Sequence, residues 1–394
     1  MIPYRATGFG CTGPDRESWL DRGSCVKATI GTNLLSFYRN HSTTINILLK
    51  YGIALAVFAW VIFKNWDGLV KVVQRPIRAE PLILATSIYI VGLLITFLRW
   101  HFLVRTVGLE FTRYNAIRLG LVGFYFNTFL PGSIGGDVVK AYNIARENSR
   151  RTLAVATVLI DRIIGLWALI WFVAIVGTTF WILDDPLLKN SVLESIILCT
   201  VIFVVVSMII WLLVGLLSEE GAARIATRFG RVRKIGGSLA EFWRACWMYR
   251  KKSRAVLIAM LVTLVAHTGW VLVFHYSVKA FESPNPEIDV GTIPEHAIVV
   301  PVGMTVSAFI PLPGGIGVGE AAYGRLYKIL DKPEVNGVVG CMSQRVITYS
   351  LGLIGYILYT RMKVRREVVR DATASSAAPP DPVVQPIPNA VAGP

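Results

Sequence analysis

Charged side chains are scarce in this sequence. Asp, Glu, Lys and Arg together make up 16% of the 394 residues, whereas hydrophobic residues make up 54%. An average soluble domain carries about 25% charged residues, so the composition excludes an ordinary soluble domain. Several apolar runs reach the roughly 20 residues that a helix needs to cross a bilayer. The chain is therefore predicted to be an all-α polytopic membrane protein.

Cysteine pairs and catalytic motifs are also missing. The sequence has no CxxC pair and no HExxH zinc motif, and neither of its glycine-rich stretches continues into the GK[ST] of a phosphate-binding loop. Five isolated cysteines favour neither a disulfide framework nor a metal site; they are Cys11, Cys25, Cys199, Cys246 and Cys341. We expect no enzyme activity, no metal and no cofactor.

Acidic residues are outnumbered by basic ones, 25 to 40, which gives a formal net charge of +15. The basic residues lie between the apolar runs, so they indicate membrane topology and contact with anionic lipids rather than nucleic-acid binding. The positive-inside tendency places the basic segments 218–254 and 361–370 in the cytoplasm and the acidic segment 282–296 outside. Segment 64–81 is basic yet falls outside in this scheme, and we expect it to lie amphipathically at the membrane surface.

Both termini are then cytoplasmic. Residues 1–44 are polar and contain no continuous apolar stretch, so they are not a cleaved signal peptide. Residues 361–394 are first basic and then, from about residue 372, rich in Pro and Ala, which is typical of a disordered tail.

Six apolar runs are long enough to be complete spans, and two further runs, 114–130 and 297–312, are short. The six are 45–63, 82–104, 153–183, 192–217, 255–281 and 341–360. The short runs end at two related motifs, LPGSIGGD from Leu130 to Asp137 and LPGGIGVGE from Leu312 to Glu320. Proline ends a helix and glycine permits positive φ, so each motif predicts a re-entrant helical hairpin that turns at membrane depth. The turn residues are Pro131, Gly132, Gly135, Gly136, Pro313, Gly314, Gly315, Gly317 and Gly319.

The two motifs belong to an internal repeat. Arg162 follows Asp137 by 25 positions, and Arg345 follows Glu320 by the same 25. Each half, 45–183 and 192–360, then contains three full crossings and one hairpin. An odd number of crossings inverts the second copy, and such inverted repeats are typical of transporters whose site lies between the halves.

The acids Asp137 and Glu320 and the arginines Arg162 and Arg345 are the leading candidate site residues. An arginine inside an apolar span needs a partner or water, and we expect Arg162 to pair with Asp137 and Arg345 with Glu320. Asp161 should have a separate partner, because adjacent residues on a helix do not face each other. The alternative interpretation makes the acids helix caps and the ion pairs purely structural.

Other polar residues are weaker candidates. Lys140 would lie where the first hairpin returns to the headgroups, and simple snorkelling to the interface is the plainer interpretation. Asn127 and Ser133 are candidates for lining the first cavity, with hydrogen bonds to the backbone as the alternative. His267 and His275 share one apolar span, where a structural hydrogen-bonded role is favoured over a proton relay.

These segments resemble a known family. RWHFLVRTVGL, FYFNTFLPGSIGGDVVKAYNIAR, LIDRIIGL and FIPLPGGIGVGEAAY are similar to the flippase-like membrane family, which comprises the transmembrane region of lysylphosphatidylglycerol synthases and its stand-alone relatives. The resemblance extends over about residues 45–365. It implies a prokaryotic cytoplasmic-membrane protein that moves a lipid between leaflets. A full synthase has a soluble aminoacyl-transferase domain after the last span, where this sequence is expected to have only a short tail.

We therefore expect a lipid flippase whose cargo has an anionic or zwitterionic headgroup, such as a phospholipid, an aminoacylated or glycosylated lipid, or an isoprenoid-type lipid. Lipid-synthesis enzymes are expected as possible partners. Two alternatives remain open: an embedded enzyme that modifies lipid headgroups with Asp137, Asp161 and Glu320, and a non-transporting scaffold for a lipid-synthesis complex.

Overall fold

The fold is entirely helical over the residues that the computed structural model describes, namely 46, 48–130, 135–148, 150–185, 190–233, 235–282, 290–310 and 312–376. A short 3₁₀ helix over Pro313–Gly315 precedes α12. The α-helices are α1 (Leu48–Lys64), α2 (Trp66–Val73), α3 (Ala79–Thr106), α4 (Arg113–Phe129), α5 (Gly135–Glu147), α6 (Arg151–Ile182), α7 (Ser191–Leu216), α8 (Glu219–Gly230), α9 (Gly236–Lys251), α10 (Ser253–Lys279), α11 (Ile293–Phe309), α12 (Val318–Ile329) and α13 (Glu334–Ser376).

Four of these helices, α3, α6, α7 and α10, are long and apolar enough to cross a membrane. A fifth crossing is possible if α1 and α2 count as one span, although the two are bent by 74°. The prediction of six full spans was therefore too high for the described residues. The run 45–63 becomes a short helix that bends at Asn65, and the run 341–360 is diluted by Gln344 and Arg345 within α13.

The first short run forms a helical hairpin, α4 and α5. Gly123, in the second half of α4, faces α5, where a Cβ on Gly136 would overlap the Gly123 carbonyl oxygen. A Cβ on Gly123 would lie 2.8 Å from Cε of Lys140. These contacts require α5 to fold back along α4, and only glycine permits such a close approach. The turn residues Pro131, Gly132 and Ser133 lie outside the described residues.

The second short run forms the matching hairpin, α11 and α12. The Tyr323 hydroxyl donates to the Val300 carbonyl at 3.3 Å, and the Tyr327 hydroxyl donates to the Val290 carbonyl at 2.9 Å. The later residue of α12 thus contacts the earlier residue of the segment that leads into α11, so the two helices pack antiparallel. A capping box of Thr292 and Glu295 fixes the start of α11.

Helix α3 packs along α10 in the interior of the helical bundle. Tyr89 meets Trp270 edge to face, with ring centroids 4.7 Å apart. A Cβ on Gly92 would lie 3.2 Å from the same indole. A second apolar cluster, which includes Trp100 and Tyr249, joins α3, α6, α9 and α10.

Segment 218–254 is helical where a basic loop was expected. Ser218 caps α8 by accepting a hydrogen bond from the Gly221 N–H at 3.1 Å. The indole of Trp243 on α9 donates to the Ala222 carbonyl on α8 at 3.0 Å. Buried Ala222 and Ala226 let α8 pack against α9 while the basic side chains stay at the surface. The expectation of a loop was therefore wrong, because a high charge does not prevent a segment from forming amphipathic helices.

Two further segments refine the expected boundaries. Helix α2 buries Leu69 and Val72 and exposes its other face, as expected of an amphipathic surface segment. Helix α13 continues through Ser376, so the tail predicted for 361–394 begins as helix, and its first residues after 372 are helical too. The segments 1–44 and 377–394 lie outside the described residues.

Candidate functional site

The first hairpin carries an ion pair between Asp137 and Arg162. Asp137 lies in the first turn of α5 and Arg162 lies within α6, so the pair joins the returning half of the hairpin to a span. Asn127, near the end of α4, accepts a hydrogen bond from the Gly136 N–H at 2.7 Å. This contact satisfies one backbone donor that the start of α5 would otherwise leave free. Asn127 is thus a hydrogen-bond partner of the backbone at the start of α5.

The second hairpin carries the equivalent pair of Glu320 and Arg345. Arg345 donates from Nη1 to the Gly314 carbonyl at 2.6 Å, and from Nη2 to the Gly315 carbonyl at 2.6 Å and to Glu320 Oε2 at 3.1 Å. Three turn glycines have positive φ, at 54° for Gly314, 66° for Gly315 and 82° for Gly317. Arginine suits this site because its planar fork carries five donors. One side chain therefore holds both the turn and the acid.

Glu320 has two structural contacts at once. Its side chain is fully buried, and Oε2 accepts a hydrogen bond from the Gly317 N–H at 2.8 Å. This bond caps α12, as the plainer interpretation of the acid expected. The carboxylate also neutralises Arg345, so the cap and the ion pair coexist. Gly319 is required here as well, because a Cβ would lie 2.9 Å from Nη2 of Arg345.

The two hairpins meet directly. A Cβ on Gly314 of the second turn would lie 2.7 Å from the carbonyl oxygen of Thr128, near the end of α4. The rings of Phe129 and Tyr349 lie 5.4 Å apart beside this contact. The Tyr349 hydroxyl is buried without a hydrogen-bond partner among the described residues. We call this contact between the end of α4 and the second turn the junction.

Asp161 pairs with Arg99 of α3 and not with its neighbour Arg162. Arg99 donates from Nε to Asp161 Oδ1 at 2.9 Å and from Nη1 to the Thr263 hydroxyl at 2.6 Å. Both side chains are buried. Arg99 is thus the separate partner expected for Asp161, although Arg99 itself was not predicted from the sequence. The signal was available, because Arg99 is an arginine within an apolar run.

Lys140 is buried, which contradicts the expectation that it snorkels to the headgroups. The residue is 8% exposed, and its Nζ lies 5.2 Å from the ring centroid of Trp100. Among the described residues no carboxylate lies within ion-pair distance of this ammonium, and the Trp100 indole N–H is buried without a partner. Lys140 points inward because it packs across Gly123 of α4. The three arginines above are each neutralised by an acid, whereas this lysine is not.

The histidines belong to the packing of α10. His267 Nε2 lies 3.3 Å from the Gly165 carbonyl. His275 Nδ1 lies 3.0 Å from Nδ1 of His296, whose Nε2 lies 2.5 Å from the Tyr327 hydroxyl. These internal hydrogen bonds agree with the structural role that the sequence favoured.

A cavity of about 230 Å³ with several charged side chains in its lining lies beside the second hairpin. Its lining includes Trp60, Lys64, Asn65, Glu320, Arg325 and Glu334. Lys64 donates to Glu334 at 2.7 Å, and this hydrogen bond holds the pKa of the Glu334 carboxyl below its ordinary value. The cavity therefore brings charged groups of α1, α12 and α13 close to the buried Glu320.

Comparison with known proteins agrees with this architecture. The chain is 22% identical over 331 residues to a UPF0104 membrane protein of Pyrococcus horikoshii, covering 79% of this chain and 95% of that protein. It is 22% identical over 340 residues to a UPF0104 membrane protein of Methanocaldococcus jannaschii, covering 83% of this chain and 96% of that protein. No solved structure matches the chain.

A family model decides the assignment. The model of the lysylphosphatidylglycerol synthase transmembrane region matches residues 47–355, which include both hairpins and both ion pairs. The match and the apolar helices together indicate a multi-pass membrane protein. The chain therefore belongs to the family of the lysylphosphatidylglycerol synthase transmembrane region.

Proposed function

We propose that this protein is a lipid flippase of a prokaryotic cytoplasmic membrane. A lipid headgroup passes the junction between the two hairpins while its acyl chains remain in the bilayer. The observation that carries the proposal is the junction itself, where two broken helical hairpins meet and each is closed by an acid–arginine pair at the same 25-residue offset.

In this proposal the helices form two inverted halves, and α1 and α13 are taken as crossings in addition to the four candidate spans. The first half contains α1, α3, the α4–α5 hairpin and α6, and the second contains α7, α10, the α11–α12 hairpin and α13. Surface helices follow the first helix of each half, α2 in one and α8 with α9 in the other. In such transporters discontinuous helices meet near the bilayer midplane and hold the polar part of the substrate.

Energetics favour a wet or substrate-filled junction over a dry structural one. Non-helical backbone is tolerated at membrane depth only where it lines a cavity or is buried in protein. Arg345 satisfies two turn carbonyls, yet the Tyr349 hydroxyl beside them has no hydrogen-bond partner among the described residues. A buried hydroxyl without a partner costs about 1–3 kcal/mol. A passing headgroup would supply the missing partner.

Lys140 indicates the charge of the cargo. The arginines of the hairpins and of α3 are already paired with acids, so they add no net charge. The buried ammonium of Lys140 and the free N–H of Trp100 are both donors that need an acceptor. A negatively charged phosphate would satisfy both. We therefore propose an anionic phospholipid headgroup as the preferred cargo.

Leaflet exchange can be tested with the full-length protein in phosphatidylcholine vesicles. The probe is phosphatidylglycerol with a fluorescent acyl chain, and dithionite added outside quenches only probe in the outer leaflet. The parent protein should make nearly all of the probe accessible, whereas Asp137→Ala and Arg162→Ala should leave about half protected. Arg78→Gln is the matched control, because Arg78 forms an exposed ion pair with Glu282 at 3.4 Å.

Three results would overturn the flippase proposal. The same fraction of probe could be protected from dithionite in empty vesicles and in vesicles with the parent protein, as expected of a scaffold that does not transport lipid. Folded Asp137 and Arg162 variants could exchange lipid at the parental rate. The lipid mass could change during incubation, which would favour a headgroup-modifying enzyme.

The cargo assignment has its own test. The parent should move the phosphatidylglycerol probe faster than a phosphatidylcholine probe with the same acyl label, and Lys140→Met should remove that difference. A Lys140→Arg variant keeps the charge and should retain the preference. An unchanged preference in Lys140→Met would refute the role of this lysine and leave the flippase proposal intact.

A further inference from the structure

An apolar groove lies between α6, α7, α9 and α10, and its lining includes no residue of either hairpin ion pair. The groove has a volume of about 500 Å³, within the range of sites that hold a drug-sized ligand. Its walls are almost wholly apolar and include Ile163, Leu166 and Trp167 of α6 and Phe203, Ile210 and Trp211 of α7. Between spanning helices, a groove with this lining and volume suits a hydrocarbon chain.

The groove lies along the part of α7 that the protein leaves uncovered. Helix α7 is the most apolar of the four candidate spans, yet only 6% of its apolar window is buried within the protein. Trp167 and Trp211 hold α7 away from α6, with ring centroids 5.6 Å apart. The Trp167 N–H donates to the Ser207 hydroxyl at 2.9 Å, so the indole is fixed. The gap is therefore a built feature with a fixed wall.

One end of the groove carries a cation. Arg250 of α9 donates from Nε to the Trp211 carbonyl at 2.9 Å, and its guanidinium lies 5.1 Å from the centroid of the Trp211 ring. Among the described residues Arg250 has no carboxylate within ion-pair distance. Its remaining N–H groups are donors suited to a phosphate.

The surroundings of Arg250 have the same charge. Residues 219–252 contain nine basic and three acidic residues. Such a basic segment beside a span attracts anionic lipids. An apolar groove at membrane depth that ends at a basic surface matches the two parts of an anionic phospholipid.

We infer that this groove binds one acyl chain of an anionic phospholipid, with the lipid phosphate on Arg250. The site is separate from both ion pairs, and the inference holds whether or not the protein moves lipid. The lipid fills the space between α6 and α7 and links α9 to the membrane surface.

Photo-crosslinking tests the inference. The full-length protein is reconstituted in phosphatidylcholine vesicles that contain a small fraction of phosphatidylglycerol with a diazirine in one acyl chain. After irradiation, adducts are mapped by mass spectrometry of peptides. We expect adducts on the groove side of α7, at Phe203 and Ile210, in excess over adducts on its bilayer-facing side.

Neighbouring isoleucines provide matched variants. Ile210 is 56% exposed and lines the groove, whereas Ile209 is 50% exposed and does not. Ile210→Trp fills the groove and should abolish the excess labelling, whereas Ile209→Trp should leave it unchanged. Arg250→Gln should reduce labelling by the phosphatidylglycerol probe to the level of a phosphatidylcholine probe with the same diazirine chain.

The inference would be overturned if adducts were distributed uniformly around α7, and if their number changed neither with Ile210→Trp nor with the headgroup of the probe. That pattern means bulk bilayer lipid only. If Ile210→Trp prevents folding, the Arg250→Gln comparison still decides, because equal labelling of the parent by both probes would equally reject an anionic lipid site.

Discussion

Removing the Arg345 guanidinium is the strongest test of how the second hairpin is held. Arg345→Met keeps the length of the side chain and removes every donor. Glu320, which is fully buried, would then hold its charge against one N–H of Gly317. The carbonyls of Gly314 and Gly315 would lose their 2.6 Å partners at the same time.

The expected loss follows from the buried pair. Removing one partner of a buried ion pair destabilises a protein by about 3–5 kcal/mol, because the remaining charge is uncompensated. The double variant Arg345→Met with Glu320→Gln removes that charge, and the new amide can still accept from Gly317. Both variants leave the carbonyls of Gly314 and Gly315 without their partner, at about 1–3 kcal/mol for each group, so this cost cancels between them. The double variant should therefore be more stable than Arg345→Met alone by up to about 3–5 kcal/mol, the cost of the uncompensated charge.

A double-mutant cycle measures this coupling. The parent, both single variants and the double variant are unfolded by increasing SDS in mixed micelles, and unfolding is followed by circular dichroism. Arg78→Met is the control, because its ion pair with Glu282 is exposed and should contribute less than about 1 kcal/mol. Two results would contradict this prediction. Arg345→Met could unfold at the same SDS fraction as the parent, or the double variant could be no more stable than Arg345→Met.

Three further predictions concern packing, buried charge and pH. Gly136→Ala should destabilise the first hairpin strongly, because its Cβ would overlap a backbone oxygen of α4, whereas Gly237→Ala, with no atom within 4 Å, should be neutral or stabilising in the same SDS titration. Equal stability of the two alanine variants would contradict the close hairpin contact. The free energy of unfolding of Lys140→Met in that titration should lie within about 1 kcal/mol of the parental value, because losing the cation–π contact with Trp100 is offset by removing a buried charge. A large loss of stability would contradict this and indicate an acidic partner of Lys140. The pKa of Glu334 is lowered by Lys64, so the ion pair contributes its stabilisation above the ordinary carboxyl pKa and loses it as pH falls through the lowered pKa. Melting temperatures taken from neutral to acidic pH should fall less steeply in Lys64→Met, and identical slopes would disprove the contribution.

Much of the fold could be predicted because hydropathy and chain breakers act locally. The hydropathy of a segment depends only on its own side chains, so the apolar runs of the sequence predicted α3, α6, α7 and α10. The clustered prolines and glycines marked both hairpins, because Pro131 and Pro313 disfavour a continuous helix and the adjoining glycines permit a turn. The shared offset of 25 also predicted which acid pairs with Arg162 and which with Arg345.

The sequence by itself thus determined the helical class, the two interruptions and their ion pairs. Only the tertiary structure decided that Arg99 neutralises Asp161, that Lys140 is buried beside Trp100, and that Gly314 packs against Thr128. These contacts join helices that are far apart in the chain, and the apolar character of a run does not encode which face meets which neighbour. Packing of whole helices, set by glycine contacts and ring stacking, fixes those faces and with them the site.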